Sequence, residues 1–554
     1  MSADVWDAAW RTRALPELAA RHWDLIVIGG GISGAGILQA AAQRGWTCLL
    51  LEQRDFAWGT SSRSSKMVHG GLRYIATGQF GLTRDAVRER QRLLTEAPGL
   101  VDRLGFLMPH YRGRFPGPVA FGGLLTLYDA LAGRRDHRYY PRQQLSCLAP
   151  NLKGDDLIGA THFSDAVTDD ARLVLRVLGE ARAEGGQALN GIKVTALRRK
   201  DGRVVGLEAQ DRESGQRHTF HARAVAQATG AWSDRLRQHE GPARIRPLRG
   251  SHLLLPRWRL PVAQAVSFMH AEDRRLVFVF PWEGATVVGT TDLDHHESLD
   301  QEARITVEET AYLLAACAQQ FPDAHIGIWD VLSTWAGVRP VISKGKPGTK
   351  PSDETREHAL WIEPGCVTLA GGKLTTFHLL ALDVLKACAR FVDRTVHGQD
   401  APVFRAFPLP PMPTLSCALQ RRLVGRHGRS LPQLLAVMAQ VGSERVADTD
   451  TLWAELAWAA QGEMVLHLDD LLLRRTRLGL LLADGGLAQL PRMRALCQSR
   501  LGWDDVRWAR EEHDYLTLWQ NCHGVPGMSH VARHGDASSR AGGGHVNQLK
   551  EGAP

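Results

Sequence analysis

The side chains with the most chemical capacity sit in Gly-, Ser- or Pro-flanked stretches. They are Ser61, Ser62, Ser64 and Ser65 beside Lys66, Arg73 just after Gly70-Gly71, His252 after Gly250-Ser251, Arg339 before Pro340, and Lys373 after Gly371-Gly372. The four serines form a dense donor set that suits a phosphate or the edge of a flat ring. A solvated Ser-rich loop is the alternative, and Gly70-Gly71, which lets a ring approach the backbone, weighs against it. Arg73, Arg339 and Lys373 lie outside polar helix faces, as cations that hold an anionic substrate would, and Arg offers phosphate two parallel hydrogen bonds. His252 precedes Leu253-Leu254-Leu255, so it is either a hydrogen-bonded core residue or a base that titrates near neutrality. His69, Tyr74 and Lys373 are the other candidates for that role.

A second kind of chemistry is written near the start. Asp24-Leu-Ile-Val-Ile-Gly29-Gly30-Gly31-Ile32-Ser33-Gly34 runs from an apolar β-branched stretch through a Gly-rich turn into an Ala-rich segment. Cys48-Leu-Leu-Leu51 then leads into Glu52, eighteen residues after Gly34. This is the full βαβ dinucleotide fingerprint. Gly29 permits the turn, Gly31 admits a pyrophosphate to the backbone, and Gly34 lets helix and strand pack. The pyrophosphate sits at the helix N-terminus. Glu52 can accept a bond from a ribose hydroxyl and disfavours a 2′-phosphate. NAD and FAD both remain open at this point.

These residues need elements to position them. Strands are expected at 24–28 and 47–52, with a helix from about 32 to 45. A hairpin is expected at 192–197 and 204–209 around Asp201-Gly202. A buried strand follows over 221–229 and ends at Gly230 in a new helix. Residues 250–255, 275–282 and 285–292 read as an antiparallel sheet, and 301–321 as helical. Phe407-Pro-Leu-Pro-Pro-Met-Pro413 is an extended linker. Beyond it, 431–438, 453–460 and 466–482 read as helices. From about Gly524 the Gly, Ser, His and Arg content predicts a disordered tail.

The chain has 554 residues, enough for two or three domains, and its 44% hydrophobic and 23% charged content is that of a globular protein. Eight cysteines are scattered with no Cys-x-x-Cys, so no metal site is expected and reduced thiols are. Residues 1–21 lack the apolar stretch of a signal peptide. No apolar run approaches the ~20 residues that span a bilayer. The net charge of +8 comes with no nucleic-acid reading motif, so no nucleic acid is expected; an anionic substrate or membrane surface explains the charge better.

Gly59-Thr60-Ser61-Ser62-Arg63-Ser64-Ser65-Lys66-Met67-Val68-His69-Gly70-Gly71-Leu72-Arg73-Tyr74 closely resembles a segment of the aerobic, FAD-dependent glycerol-3-phosphate dehydrogenases. Further similarities follow in order: Ser164-Asp165 to Val174, Arg249-Gly250-Ser251-His252, Phe278 to Trp282, Gly289-Thr290-Thr291-Asp292, Gly337-Val338-Arg339-Pro340, Gly371 to Thr376, and Arg474-Arg475-Thr476. The resemblance spans about 22–485.

The resemblance implies an α/β fold: a Rossmann-like FAD-binding domain of the glutathione-reductase/D-amino-acid-oxidase type, an antiparallel β-sheet substrate cap and a helical C-terminal domain. The parts would be an N-terminal extension (1–22), the oxidoreductase domain with its inserted cap (23–405), the helical domain (406–523) and the tail (524–554). FAD would contact Gly29, Gly30, Gly31, Ser33, Gly34, Glu52, Gln53, Thr60, Ser61, Ser62, Ser65, Lys66, His69, Gly70, Gly71, Val194, Ala228, Thr229, Gly230, Gly372, Lys373, Leu374 and Thr375, its ring lying between Gly70-Gly71 and Lys373. Arg73, Tyr74, Arg339, Arg356 and Lys373 would bind substrate, with Arg73, His252, Arg339 and Lys373 serving catalysis and His252 as the base. The implied activity is oxidation of sn-glycerol 3-phosphate to dihydroxyacetone phosphate. The implied electron acceptor is a membrane quinone, with a cytoplasmic protein peripheral to the membrane and possibly homodimeric. An oxygen-using oxidase, an amino-acid oxidase of the same fold and a non-catalytic FAD-binding regulator are the alternatives.

Overall fold

The computed structural model describes residues 5–72, 75, 78–152, 154–236, 244–343, 358–396 and 401–527. Arg73, Tyr74, Arg356 and all but the first four residues of the expected disordered tail lie outside them. The strands, numbered along the chain, are β1 His22–Ile28, β2 Cys48–Leu51, β3 Met67–Val68, β4 Val101–Tyr111, β5 Arg138–Pro141, β6 Leu157–Thr168, β7 Gln187–Leu189, β8 Ile192–Lys200, β9 Arg203–Asp211, β10 Arg217–Gln227, β11 Ile245–Pro256, β12 Ala265–Met269, β13 Leu276–Trp282, β14 Ala285–Gly289, β15 Leu293–Asp294, β16 Ser333–Ile342, β17 His358–Glu363 and β18 Cys366–Gly371.

Two sheets organise the molecule. In the first, β7, β2, β1, β10 and β18 are parallel neighbours. Leu25, Ile26, Val27 and Leu49 to Leu51 are buried, the continuous apolar run of strands covered on both faces. The helices Ile32–Ala42, Asp170–Ala183 and Phe377–Val392 pack together over it. β8 and β9 form the expected hairpin, with Asp201 and Gly202 both at positive φ, the turn that suits a twisted two-residue hairpin. β17 joins β18 antiparallel.

The second sheet carries the expected cap strands in the order β15-β11-β14-β13-β12-β4-β6-β3, with β16 also paired to β11. The long strands β4 and β6 pair antiparallel along nearly their whole length. Polar and Gly interruptions hide their period, so neither strand stands out in the sequence.

Three expectations change. After β10, among the described residues up to 236, the chain makes the 3-10 turn Gly230–Trp232 in place of the expected helix. The helix expected over 301–321 is Val307–Gln320, begun by a Thr306/Glu309 capping box. The stretch 466–482 is not one helix. A π-helical segment, Asp470–Arg475, stops at Thr476, Arg477 takes a left-handed conformation (φ 61), and a short helix, Leu478–Leu481, follows. Buried ion pairs of Arg474, Arg475 and Arg477 outweigh helical continuity there.

Residues 5–21 are built into the core. Asp7 caps the helix Ala8–Ala20, and Trp6, Trp10, Leu15 and Leu18 are buried. Arg11 reaches Asn190 O (2.8 Å) and Asp211 (2.6 Å). Among the described residues, no helix is long and apolar enough to cross a membrane.

Candidate functional site

A cleft of about 230 Å³ opens at the C-terminal ends of β1 and β10. The turn after β1 forms one wall. Gly29 has φ +109, and a Cβ on Gly34 would collide with Gly29 O, so helix and strand meet only because both are glycine. The helix Ile32–Ala42 presents its N-terminus to the cleft, with Ser61 Oγ accepting from Ile32 N at 3.0 Å. Glu52 accepts from Gly30 N (2.6 Å) and Arg54 N (2.8 Å). Burial raises its carboxyl pKa, and those two amides pull it back down.

Of the residues expected around the cofactor, Gly29, Gly31, Ser33, Glu52, Gln53, Thr60, Ser61, Val194, Ala228, Thr229, Gly230, Gly372, Lys373 and Leu374 line this cleft. Trp58, Lys193, Trp232, Arg235 and Pro340 line it as well and were not anticipated. Trp232 follows the Gly230 turn directly, which was the available signal. Lys193, Arg235, Lys373 and Glu52 are the charged residues of the lining, three cations to one acid. That balance favours a dianionic pyrophosphate.

Other expected contacts are placed differently. The Lys66 ammonium is fully buried and bonds Asp170 (2.8 Å) and Ser62 O (2.5 Å), between the rings of Trp282 and Trp335. It is a structural cation and does not reach the cleft. Burial and Arg477 lower its pKa to about 8 against the upward pull of Asp170. Ser62 is buried beneath the loop. Gly70 is closed off by Tyr128 and Val87, which a Cβ there would strike, and its N–H donates to Asp165 at 3.1 Å. Its small size therefore serves packing against Tyr128. Ser65, His69 and Thr375 lie outside the lining; Thr375 donates to His69 O at 3.2 Å.

Beside the cleft, β11, β14 and β16 build a second cluster. The register sets His252 opposite Gly289 on one side and Trp335 on the other. A Cβ on Gly289 would strike the imidazole, so only Gly leaves room for it. The Trp335 indole stacks on His252 at 4.8 Å and 11°. Ser65 Oγ lies 2.9 Å from His252 Nε2, and Nδ1 is buried with no hydrogen-bond partner. Burial, then Arg339 and Lys66, push the imidazole well below its usual range, so it is neutral at pH 7. Arg339 bonds Asp292 (2.9 Å) and Thr290 Oγ1 (3.2 Å), and Asp292 also pairs with Arg275 at 3.0 Å.

The FAD dependent oxidoreductase family matches residues 24–380, and the C-terminal domain of alpha-glycerophosphate oxidase matches 369–508. The glycerol-3-phosphate dehydrogenase 2 of Mycobacterium tuberculosis is 33% identical over 534 residues, covering 92% of this chain and 90% of its own. The aerobic glycerol-3-phosphate dehydrogenase of Staphylococcus haemolyticus is 32% identical over 83% of this chain and 87% of its own. The chain belongs to the FAD-dependent glycerol-3-phosphate dehydrogenases. Among solved structures, the glycerol-3-phosphate dehydrogenase from Bacillus halodurans, complexed with FAD, is similar with a TM-score of 0.76 at 27% identity, over 95% of this chain and 99% of that one.

FAD is the cofactor of this glycerol-3-phosphate dehydrogenase, and the cleft fits it. The Gly29-Gly31 turn and the helix N-terminus suit the pyrophosphate, Glu52 suits the adenosine ribose, and Gly372-Lys373 at the other end sets a cation beside an open backbone turn.

The helical region of the dehydrogenase closes onto this machinery through buried ion pairs. Arg475 grips Asp55 (2.5 and 2.7 Å) and Arg474 bonds the same carboxylate at 2.5 Å. Asp169 accepts from Arg477 (2.9 Å) and Arg426 (2.8 Å). The basic, leucine-rich stretch 471–482 is almost wholly buried.

Proposed function

We propose that the enzyme oxidises sn-glycerol 3-phosphate to dihydroxyacetone phosphate and passes the electrons to a membrane quinone. When bound, FAD supplies the two-electron acceptor for the C2 hydride. His252 takes the proton of the C2 hydroxyl as the C2–H bond breaks and the C2=O bond forms. The observation that carries this assignment is the imidazole held by Ser65 and Trp335 with its Nδ1 unpartnered, and burial with Arg339 and Lys66 lowers its pKa so that it can accept a proton. Arg339, with Arg73 and Arg356, binds the phosphate, and that remote grip orients C2. Lys373 sets a cation at the cleft, where negative charge grows on reduction.

One surface supports peripheral docking at the membrane. The helix Pro118–Ala132 carries a single charged residue, Asp129, which is buried. Its exposed face is Val119, Ala120, Gly123, Thr126, Leu127 and Ala130, with Val119 87% exposed and neighbouring Phe115 76% exposed. Exposed Arg112, Arg114, Arg134, Arg135 and Arg138 flank it. An uncharged face rimmed by arginines matches an anionic bilayer.

Anaerobic mixing of the FAD-loaded enzyme with glycerol 3-phosphate tests the substrate: the flavin absorbance bleaches, and a flavin that stays oxidised overturns the reading. Aerobic turnover with and without a quinone analogue tests the acceptor. Stoichiometric peroxide unaffected by the quinone would make the enzyme an oxidase.

A further inference from the structure

We propose that Arg477, from the helical C-terminal region, is a positioning residue for His252, acting through Asp170 and the 62–66 loop; this rests on His252 as the proton acceptor. Arg477 is buried and touches neither the cleft nor His252. Its guanidinium instead joins the carboxylate pair Asp169-Asp170 to the loop. It bonds Asp169 at 2.9 Å, ion-pairs with Asp170, and donates to Ser62 O at 3.2 Å. Asp170 accepts from Ser64 N (2.9 Å), Ser64 Oγ (2.7 Å) and Lys66 Nζ (2.8 Å). One carboxylate thus fixes Ser64 and Lys66, and with them the residue between, Ser65.

Two arms run from this loop to the imidazole. Ser65 Oγ meets His252 Nε2 at 2.9 Å. Trp335 Nε1 donates to Ser64 O at 3.2 Å while its ring stacks on His252. Arg339 from β16 and Lys66 from the loop are the charged groups facing the imidazole. A buried ion pair is weak evidence for stability as such. Here its geometry holds a loop whose next residue orients the base. The C-terminal region therefore completes the reacting centre from behind. Residues 470–477 abandon regular helix because Arg474, Arg475 and Arg477 must all reach inward from one short segment.

Arg477→Lys in the FAD-loaded enzyme tests this. The expected rate of anaerobic flavin reduction by glycerol 3-phosphate falls on the order of ten- to a hundredfold, with KM little changed, as for a misplaced reacting group. The acid limb of the rate profile shifts up toward the ordinary imidazole range, because a loosened loop admits water to His252. The exposed pair variant Arg492→Lys keeps wild-type values. A lowered melting temperature with unchanged rate and unchanged acid limb would overturn the proposal. Should Arg477→Lys fail to fold, Ser64→Ala removes the hydroxyl bond of the loop to Asp170 without touching the C-terminal region, and the same two readouts decide. His252→Asn separates the two ideas. If it is inactive while Arg477→Lys is normal, the brace is wrong and the base stands; if His252→Asn keeps its rate, both fall.

Discussion

Ser65 Oγ and His252 Nε2 lie 2.9 Å apart, although 187 residues separate them in the chain. The serine comes from the loop after β2, the histidine from the middle of β11. Their hydrogen bond ties the loop after β2 of the first sheet to β11 of the second, leaving His252 Nδ1 as the nitrogen without a partner.

Replacing His252 by Asn is expected to slow anaerobic flavin reduction by about 10²–10⁴-fold, the usual contribution of a positioned base. FAD content, measured spectrally, should stay at one per chain because His252 is outside the cleft lining. An equal fall in bound FAD would show that the histidine acts on folding instead.

The same histidine sets a pH dependence. Burial, Arg339 and Lys66 hold it neutral well below pH 6.5, so the acid limb of the rate should lie below that value. The sign for stability follows from proton counting. Below pH 6.5 the unfolded chain gains a proton on this residue that the folded protein excludes, so stability falls as pH drops and is unaffected by His252 above it. Urea denaturation at pH 5 and pH 7, with and without His252→Asn, measures the difference.

Arg339→Ala should weaken apparent affinity for glycerol 3-phosphate. It also removes the Arg339 ion pair of Asp292, which keeps its pair with Arg275 at 3.0 Å. Loss of a charge-assisted pair to phosphate corresponds to about 1.5–3 kcal/mol, or on the order of ten- to a hundredfold in affinity. Unchanged affinity would remove Arg339 from the substrate site.

Asp55→Asn tests the seam between the cofactor and helical regions. Burial alone would raise this carboxyl, but Arg475 and Arg474 hold it below the usual carboxylate range. Breaking a buried pair typically costs about 3–5 kcal/mol. A marked drop in melting temperature, with FAD released at lower denaturant, is the expected result. A neutral effect would mean that Arg474 and Arg475 find adequate partners in Asp469 and Asp470.

Val119→Glu combined with Leu127→Glu places charge on the exposed helix face. Stability should stay within about 0.5 kcal/mol, as for surface positions. Co-sedimentation with anionic vesicles should be lost. Retained vesicle binding would move the docking surface elsewhere, and a change only in oligomeric state would assign the face to a second copy of the chain.

Local sequence determined the cofactor turn. Gly29, Gly31, Gly34 and Glu52 lie within one βαβ unit, where spacing alone sets geometry, and the Gly371-Gly372 turn marked Lys373, which lines the same cleft. Three things came only from the tertiary structure. Lys66 reads as a cofactor contact in sequence, yet Asp170, 104 residues away, claims its ammonium. Gly70 reads as room for a ring, yet Tyr128 occupies that room. The stretch 466–482 reads as one helix, yet buried arginines break it to reach Asp55, Asp169 and Asp170. In each case the partner is distant in the chain, and a desolvated charge or a close-packed ring outweighs the local preference by more than any short-range pattern records.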